Sequence, residues 1–89
     1  MGEGTVPVKN PKVVHSRLAE GEAVLLHLES GAYHELNAIG AVIWELLDGN
    51  RSASQIVDEV RTRVDDPPDD LEEVVAGFLA RLRERDLIH

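Results

Sequence analysis

Four histidines (His15, His27, His34 and His89) and four serines (Ser16, Ser30, Ser52 and Ser54) are the side chains of this 89-residue chain best suited to catalysis or metal ligation. His34-Glu35 opens like a zinc-protease pair. That chemistry requires a second His four positions on, so that both ligands share one helical face, and here the position holds Ala38 after a strand-like segment. His27 and His34 can meet across a hairpin, yet zinc takes three or four protein ligands. No serine occupies a strand-turn-helix nucleophile elbow. Ser30 reads instead as a turn residue, Ser52 as a helix cap and Ser54 as a first-turn residue. The glycines form no G-x-x-x-x-G-K phosphate loop. With no cysteine, thiol catalysis, disulfides and Cys-ligated zinc are also excluded. No catalytic constellation is complete, so neither an enzyme nor a cofactor is expected; a small metal protein using His27 and His34 is the last-ranked reading.

Charge narrows the partners. Seventeen Asp and Glu against nine Lys and Arg give a formal charge of −8, which repels the phosphates that dominate nucleic-acid affinity. An acidic surface suits neutral or basic partners, and equally it suits solubility alone. Met1-Gly2-Glu3-Gly4-Thr5 carries an acidic residue and starts no apolar run, so neither a signal peptide nor a membrane span is expected. The expected location is cytoplasmic.

These residues must be positioned by a single small domain, since 89 residues leave no room for a second core. Residues 1–11, punctuated by Pro7 and Pro11, read as a flexible arm, and 12–89 as the folded unit. Val13-Val14 within Lys12 to Arg17, and Ala23-Val24-Leu25-Leu26 within Glu22 to Glu29, read as strands separated by Gly21. Ala32 to Leu36 resumes the pattern after Ser30-Gly31. A two-residue turn there would set His27 opposite His34 and Leu28 opposite Tyr33, with both sheet faces partly covered.

After Leu36 the apolar period lengthens to that of a helix. Asn37 is a natural N-cap for the stripe Ile39, Val42, Ile43, Leu46 and Leu47, which Asp48-Gly49-Asn50 ends. Ser52 and Gln55 form a capping-box pattern ahead of Ala53, Ile56, Val57, Val60 and Val64. Asp65-Asp66-Pro67-Pro68 breaks that helix. Leu71, Val74, Val75, Phe78, Leu79 and Leu82 then make a third stripe, with acids at its start and Arg81, Arg83 and Arg85 at its end, each sign matching the helix dipole. The fold class is α+β: a three-stranded antiparallel sheet followed by three helices, winged-helix-like.

What remains for function is surface. Ala32 to Leu36 is a plausible sheet edge, and an edge offers unpaired N–H and C=O groups to an added strand. The apolar arc from Val74 to Leu79 is wide enough to flank it. The plainer reading is that these residues are simply core.

The string Leu36-Asn37, Ala41-Val42-Ile43-Trp44, Asp48-Gly49 and Ile56-Val57, with Leu25-Leu26 before it and Phe78-Leu79 to Leu87 after it, resembles the PqqD-like family. The resemblance spans about Val13 to Ile88, and residues 1–11 have no counterpart in it. It implies a RiPP recognition element, which binds the leader of a ribosomally synthesised, post-translationally modified peptide as a strand added to the third strand. It then hands the precursor to a processing enzyme. The site residues implied are Ala32, Tyr33, His34, Glu35 and Leu36 on the strand and Val75, Phe78, Leu79 and Leu82 on the third helix, with Arg83 or Arg81 available to carboxylates. Leu79→Asp is expected to weaken binding with the fold intact. Which flank of the helix lines the groove stays open.

The implied partners are a precursor leader peptide and either a lasso-peptide leader peptidase, the favoured setting, or a radical enzyme of pyrroloquinoline quinone biosynthesis. The chain is expected to be a monomer, or a weak dimer through the sheet edge. A winged-helix transcriptional regulator is the reading from another class, though Arg61 and Arg63 face Asp58 and Glu59 on its candidate recognition helix.

Overall fold

A computed structural model describes residues 6–89. Three strands, β1 (Val13–Arg17), β2 (Ala23–His27) and β3 (Tyr33–Leu36), form an antiparallel sheet in the order β1-β2-β3. Three helices follow: α1 (Ala38–Leu46), α2 (Ala53–Arg63) and α3 (Leu71–Glu84). The α+β class and the order of elements are those expected. No helix among the described residues is long and apolar enough to cross a membrane.

Local signals set the helix starts. Asn37 Oδ1 accepts the Gly40 N–H at 2.8 Å, and Ser52 and Gln55 close a reciprocal capping box. α3 begins at Leu71 with no side-chain cap on Asp70, and its acidic first turn supplies the dipole complement. The helices bury Trp44, Ile43, Leu46, Ile56, Val60, Leu71, Val75, Leu79 and Leu82 against Ala23, Leu25 and Leu36 of the sheet's inner face. Gly40 lets α3 come close to α1: a Cβ there would lie 3.2 Å from Phe78 Cε1.

The hairpin differs from expectation. β2 and β3 pair as Ala23 with Leu36, Val24 with Glu35, Leu25 with His34 and Leu26 with Tyr33, two positions away from the two-residue-turn register. The connection is a four-residue loop, Leu28 to Gly31, in which Gly31 (φ 79°) donates to His27 O at 2.8 Å. The cause is His27 itself. Its imidazole is buried, 4% exposed, and Nδ1 accepts the N–H groups of Glu29 and Ser30 at 3.2 and 3.3 Å, capping the wider loop. Because side chains alternate with period two, a slip of two leaves every residue on its expected face. It does separate the histidines, since His34 now stands opposite Leu25. The outer face is not covered as expected: its central row of Val14, Leu26 and Tyr33 carries no helix, and Tyr33 is 71% exposed.

Part of the N-terminal segment joins the body. Val8 and Lys9 bridge to Asp48 and Ile88, Asn10 N–H donates to Leu87 O at 3.0 Å, and Asn10 Nδ2 donates to Asp86 O at 2.8 Å. Residues 1–5 of the expected arm lie outside the described residues.

Candidate peptide-binding groove

Hydrogen-bond phase decides what the edge of β3 offers. In an antiparallel ladder, alternate residues of a strand bond to the same neighbour. His27 N–H donates to Ala32 O, so the β2–β3 bonds fall at Ala32, His34 and Leu36. Leu28 donates to Lys12 O and Leu18 to Glu22 O, which assigns the intervening β2 residues to β1. Tyr33 and Glu35 therefore turn their backbone N–H and C=O groups outward at an edge that no described strand occupies.

Beside this edge runs a groove with about 320 Å³ of water-accessible space, lined by Tyr33, His34, Glu35, Leu36, Phe78, Arg81, Leu82, Arg85 and Leu87. Leu36, Leu82 and Leu87 are buried and make an apolar floor, while half-buried Phe78 forms the wall on α3. Burial lowers the His34 pKa from its ordinary value, and the Arg85 guanidinium and His27 push it the same way. A smaller hollow continues past Phe78 to Val74, Ile39 and Gly40.

The structure brings Tyr33, His34, Glu35, Leu36, Phe78 and Leu82 of the expected set together around this groove. Ala32 stands just before β3 as the partner of His27. Val75 and Leu79 do not line it; they point into the core, 1% and 5% exposed, because their side of the α3 stripe faces the other helices. Leu79→Asp would place a carboxylate in that core, so the expectation of an intact fold is corrected. Arg83 is exposed and lies outside the lining, replaced there by Arg81 and Arg85. The lining flank is Phe78, Arg81 and Arg85, at helical spacing. That periodicity is present in the sequence, but only packing distinguishes it from the neighbouring stripe. Leu87, beyond the helix, carries no local signal.

One group of potential metal ligands occurs among the described residues, His27, Glu29 and Asp86. Its hydrogen bonds give it another role. With Nδ1 accepting two backbone N–H groups, the ring proton sits on Nε2 and is directed at Asp86 Oδ2, 3.2 Å away, while Glu29 is held by Lys12 at 2.8 Å. A metal at Nε2 would require that proton to move to Nδ1, which could then no longer accept the Glu29 and Ser30 N–H groups. The cluster ties the hairpin loop to the turn after α3. The α2 cations are also engaged, Arg61 with Asp58 at 3.7 Å and Arg63 with Glu59 at 3.4 Å, which leaves no free basic stripe on that helix for DNA.

The family model for coenzyme PQQ synthesis protein D (PqqD) matches residues 22–88, from the start of β2 to the end of the groove floor. The chain belongs to the PqqD family. Among solved structures, TbiB1 in complex with the TbiA(beta) leader peptide superposes with a TM-score of 0.79 at 30% identity, covering 92% of this chain and 94% of that one. A lasso peptide synthetase B1 complexed with the leader peptide superposes with a TM-score of 0.78 at 22% identity, covering 96% of this chain and 99% of that one, and shares the fold. No curated protein sequence matches significantly. The PqqD match thus takes in every element of the groove.

Proposed function

We propose that this PqqD-family chain binds the leader segment of a ribosomally synthesised precursor peptide by adding it as a strand to β3. The observation that carries this reading is the conjunction of an open edge at Tyr33 and Glu35 with an apolar-floored groove beside it. An added strand would satisfy the four outward backbone groups of those two residues, each bond worth about 0.5–1.5 kcal/mol net. Its alternate side chains would enter the groove against Leu36, Phe78, Leu82 and Leu87, and the others would lie beside Tyr33 on the outer face. The leader complex of TbiB1, similar over nearly the whole chain, supports this reading.

The bound leader is presented to a processing enzyme, with the leader peptidase of a lasso-peptide pathway favoured over a radical enzyme of pyrroloquinoline quinone biosynthesis. The test is an NMR titration of the labelled protein with a synthetic precursor leader. Saturable shifts at residues 33–36 and 78–87, with submillimolar or tighter affinity, are expected. Shifts confined to β1 or α2 would refute the site. Leader-dependent capture of the peptidase by the tagged chain tests the presentation step.

A further inference from the structure

We infer that the groove selects a peptide bearing an acidic side chain on the face turned toward α3, held by Arg81 and Arg85, two positions away from an apolar residue seated on the groove floor. This inference rests on the peptide-binding reading above and specifies the chemistry of its ligand. In a chain of net charge −8, carboxylates are plentiful, and the other arginines have found them. Arg17 pairs with Glu45, Arg51 with Asp48 at 2.6 Å, Arg61 with Asp58 and Arg63 with Glu59. Among the described residues, only the three arginines at the end of α3 lack an ion pair.

The helix dipole explains a basic last turn but not which side of the helix it occupies. Arg83 satisfies the dipole while lying outside the groove. Arg81 and Arg85, one turn apart, both line it. The hollow at the opposite, β1 edge of the sheet, which His15, Arg17, Trp44 and Glu45 line, has its arginine neutralised by the Arg17–Glu45 pair. The β3 groove is left positive in an otherwise acidic protein. The lowered pKa of His34, to which Arg85 contributes, is consistent with that local field.

Spacing fits as well. Residues i and i+2 of an added strand project to the same side about 6.8 Å apart, close to the ~6 Å rise between Arg81 and Arg85. One inward side chain can therefore sit between the two guanidinium groups while the next reaches Leu36 and Leu82. Paired N–H donors in a fixed fork favour a carboxylate over an amide of the same shape. Glu35 also lines the groove but forms no ion pair with either arginine, and its side chain leaves β3 on the opposite face of the sheet from His34 and Leu36.

The experiment is selection of displayed random peptides against the full chain, in parallel with the double variant Arg81→Gln/Arg85→Gln and the control Arg83→Gln. Selected peptides are expected to carry Asp or Glu at a fixed offset of two from an apolar residue. That acidic preference should vanish with the double variant and persist with Arg83→Gln, while the apolar preference survives in both. Fluorescence anisotropy of one selected peptide and its Glu→Gln counterpart should show about tenfold weaker binding of the amide, a gap that closes in the double variant and narrows at high salt. Selection of apolar residues without acidic ones, or an acidic preference indifferent to the double variant, would overturn the inference and leave strand addition standing. Recovery of no groove-dependent peptide at all would overturn both.

Discussion

Glu35→Pro tests strand addition at a backbone N–H that folding does not use. Glu35 pairs with Val24 in register, but Val24 spends its backbone bonds on β1, so the Glu35 N–H points away from the sheet. Proline is tolerated on an edge strand when the lost N–H faces solvent, and the preceding residue, His34, already has the extended backbone that proline requires. The fold should therefore survive. In the bound state, one peptide carbonyl would lose its donor at a partly desolvated edge. An unsatisfied group of this kind costs about 1–3 kcal/mol. At about 1.4 kcal/mol per decade, the dissociation constant should rise roughly 5- to 150-fold.

His15→Pro is the matched control, because His15 turns its N–H outward on the opposite edge by the same ladder phase. Isothermal titration calorimetry with a leader peptide would give the constants, and circular dichroism would check the fold. A folded Glu35→Pro that binds as tightly as the parent would refute addition to β3. Weakening by His15→Pro alone would move the peptide to β1.

Phe78→Ala should cost about 2 kcal/mol of stability, roughly half the value for a fully buried Phe, and should weaken leader binding more than any exposed α3 substitution; denaturant melts and titration separate the two effects. Leu79→Asp should abolish the cooperative melt, because a carboxylate forced into this core consumes much of the ~4–13 kcal/mol available to a chain of this size. Asn10→Ala removes the bonds to Asp86 O and from Lys12 N–H, at 2.8 and 2.9 Å, and should lower Tm by roughly 10 °C for a loss of about 2 kcal/mol. His34 has a lowered pKa in the folded state, so below the ordinary imidazole range the unfolded chain takes up a proton that the folded chain resists. Its contribution to stability is thus complete above about pH 6.5 and is lost as pH falls toward the lowered value. Melts of His34→Gln should show a shallower decline over that interval than the parent.

How legible each feature is in the sequence depends on the range of the forces involved. The caps at Asn37 and Ser52-Gln55 and the three helical stripes act within a few residues, and each can be read from its immediate neighbours alone. The hairpin register cannot. Ser30-Gly31 is a sound two-residue turn locally, and a wider loop prevails because His27, buried and hydrogen-bonded to the distant Asp86, caps it. On α3 the sequence offers one broad apolar arc and three arginines. Val75 and Leu79 become core while Phe78, Arg81 and Arg85 become groove because Gly40 admits the Phe78 ring against α1 and fixes the helix's rotation beside the sheet.

The amino-acid sequence by itself determined the elements, their order and which residues share a face of each strand, since periodicity and capping are local. The tertiary structure decided which backbone groups remain free at the β3 edge and which arginines stand beside them. Those outcomes depend on how strands pair and how α3 packs, and they set what the edge can bind.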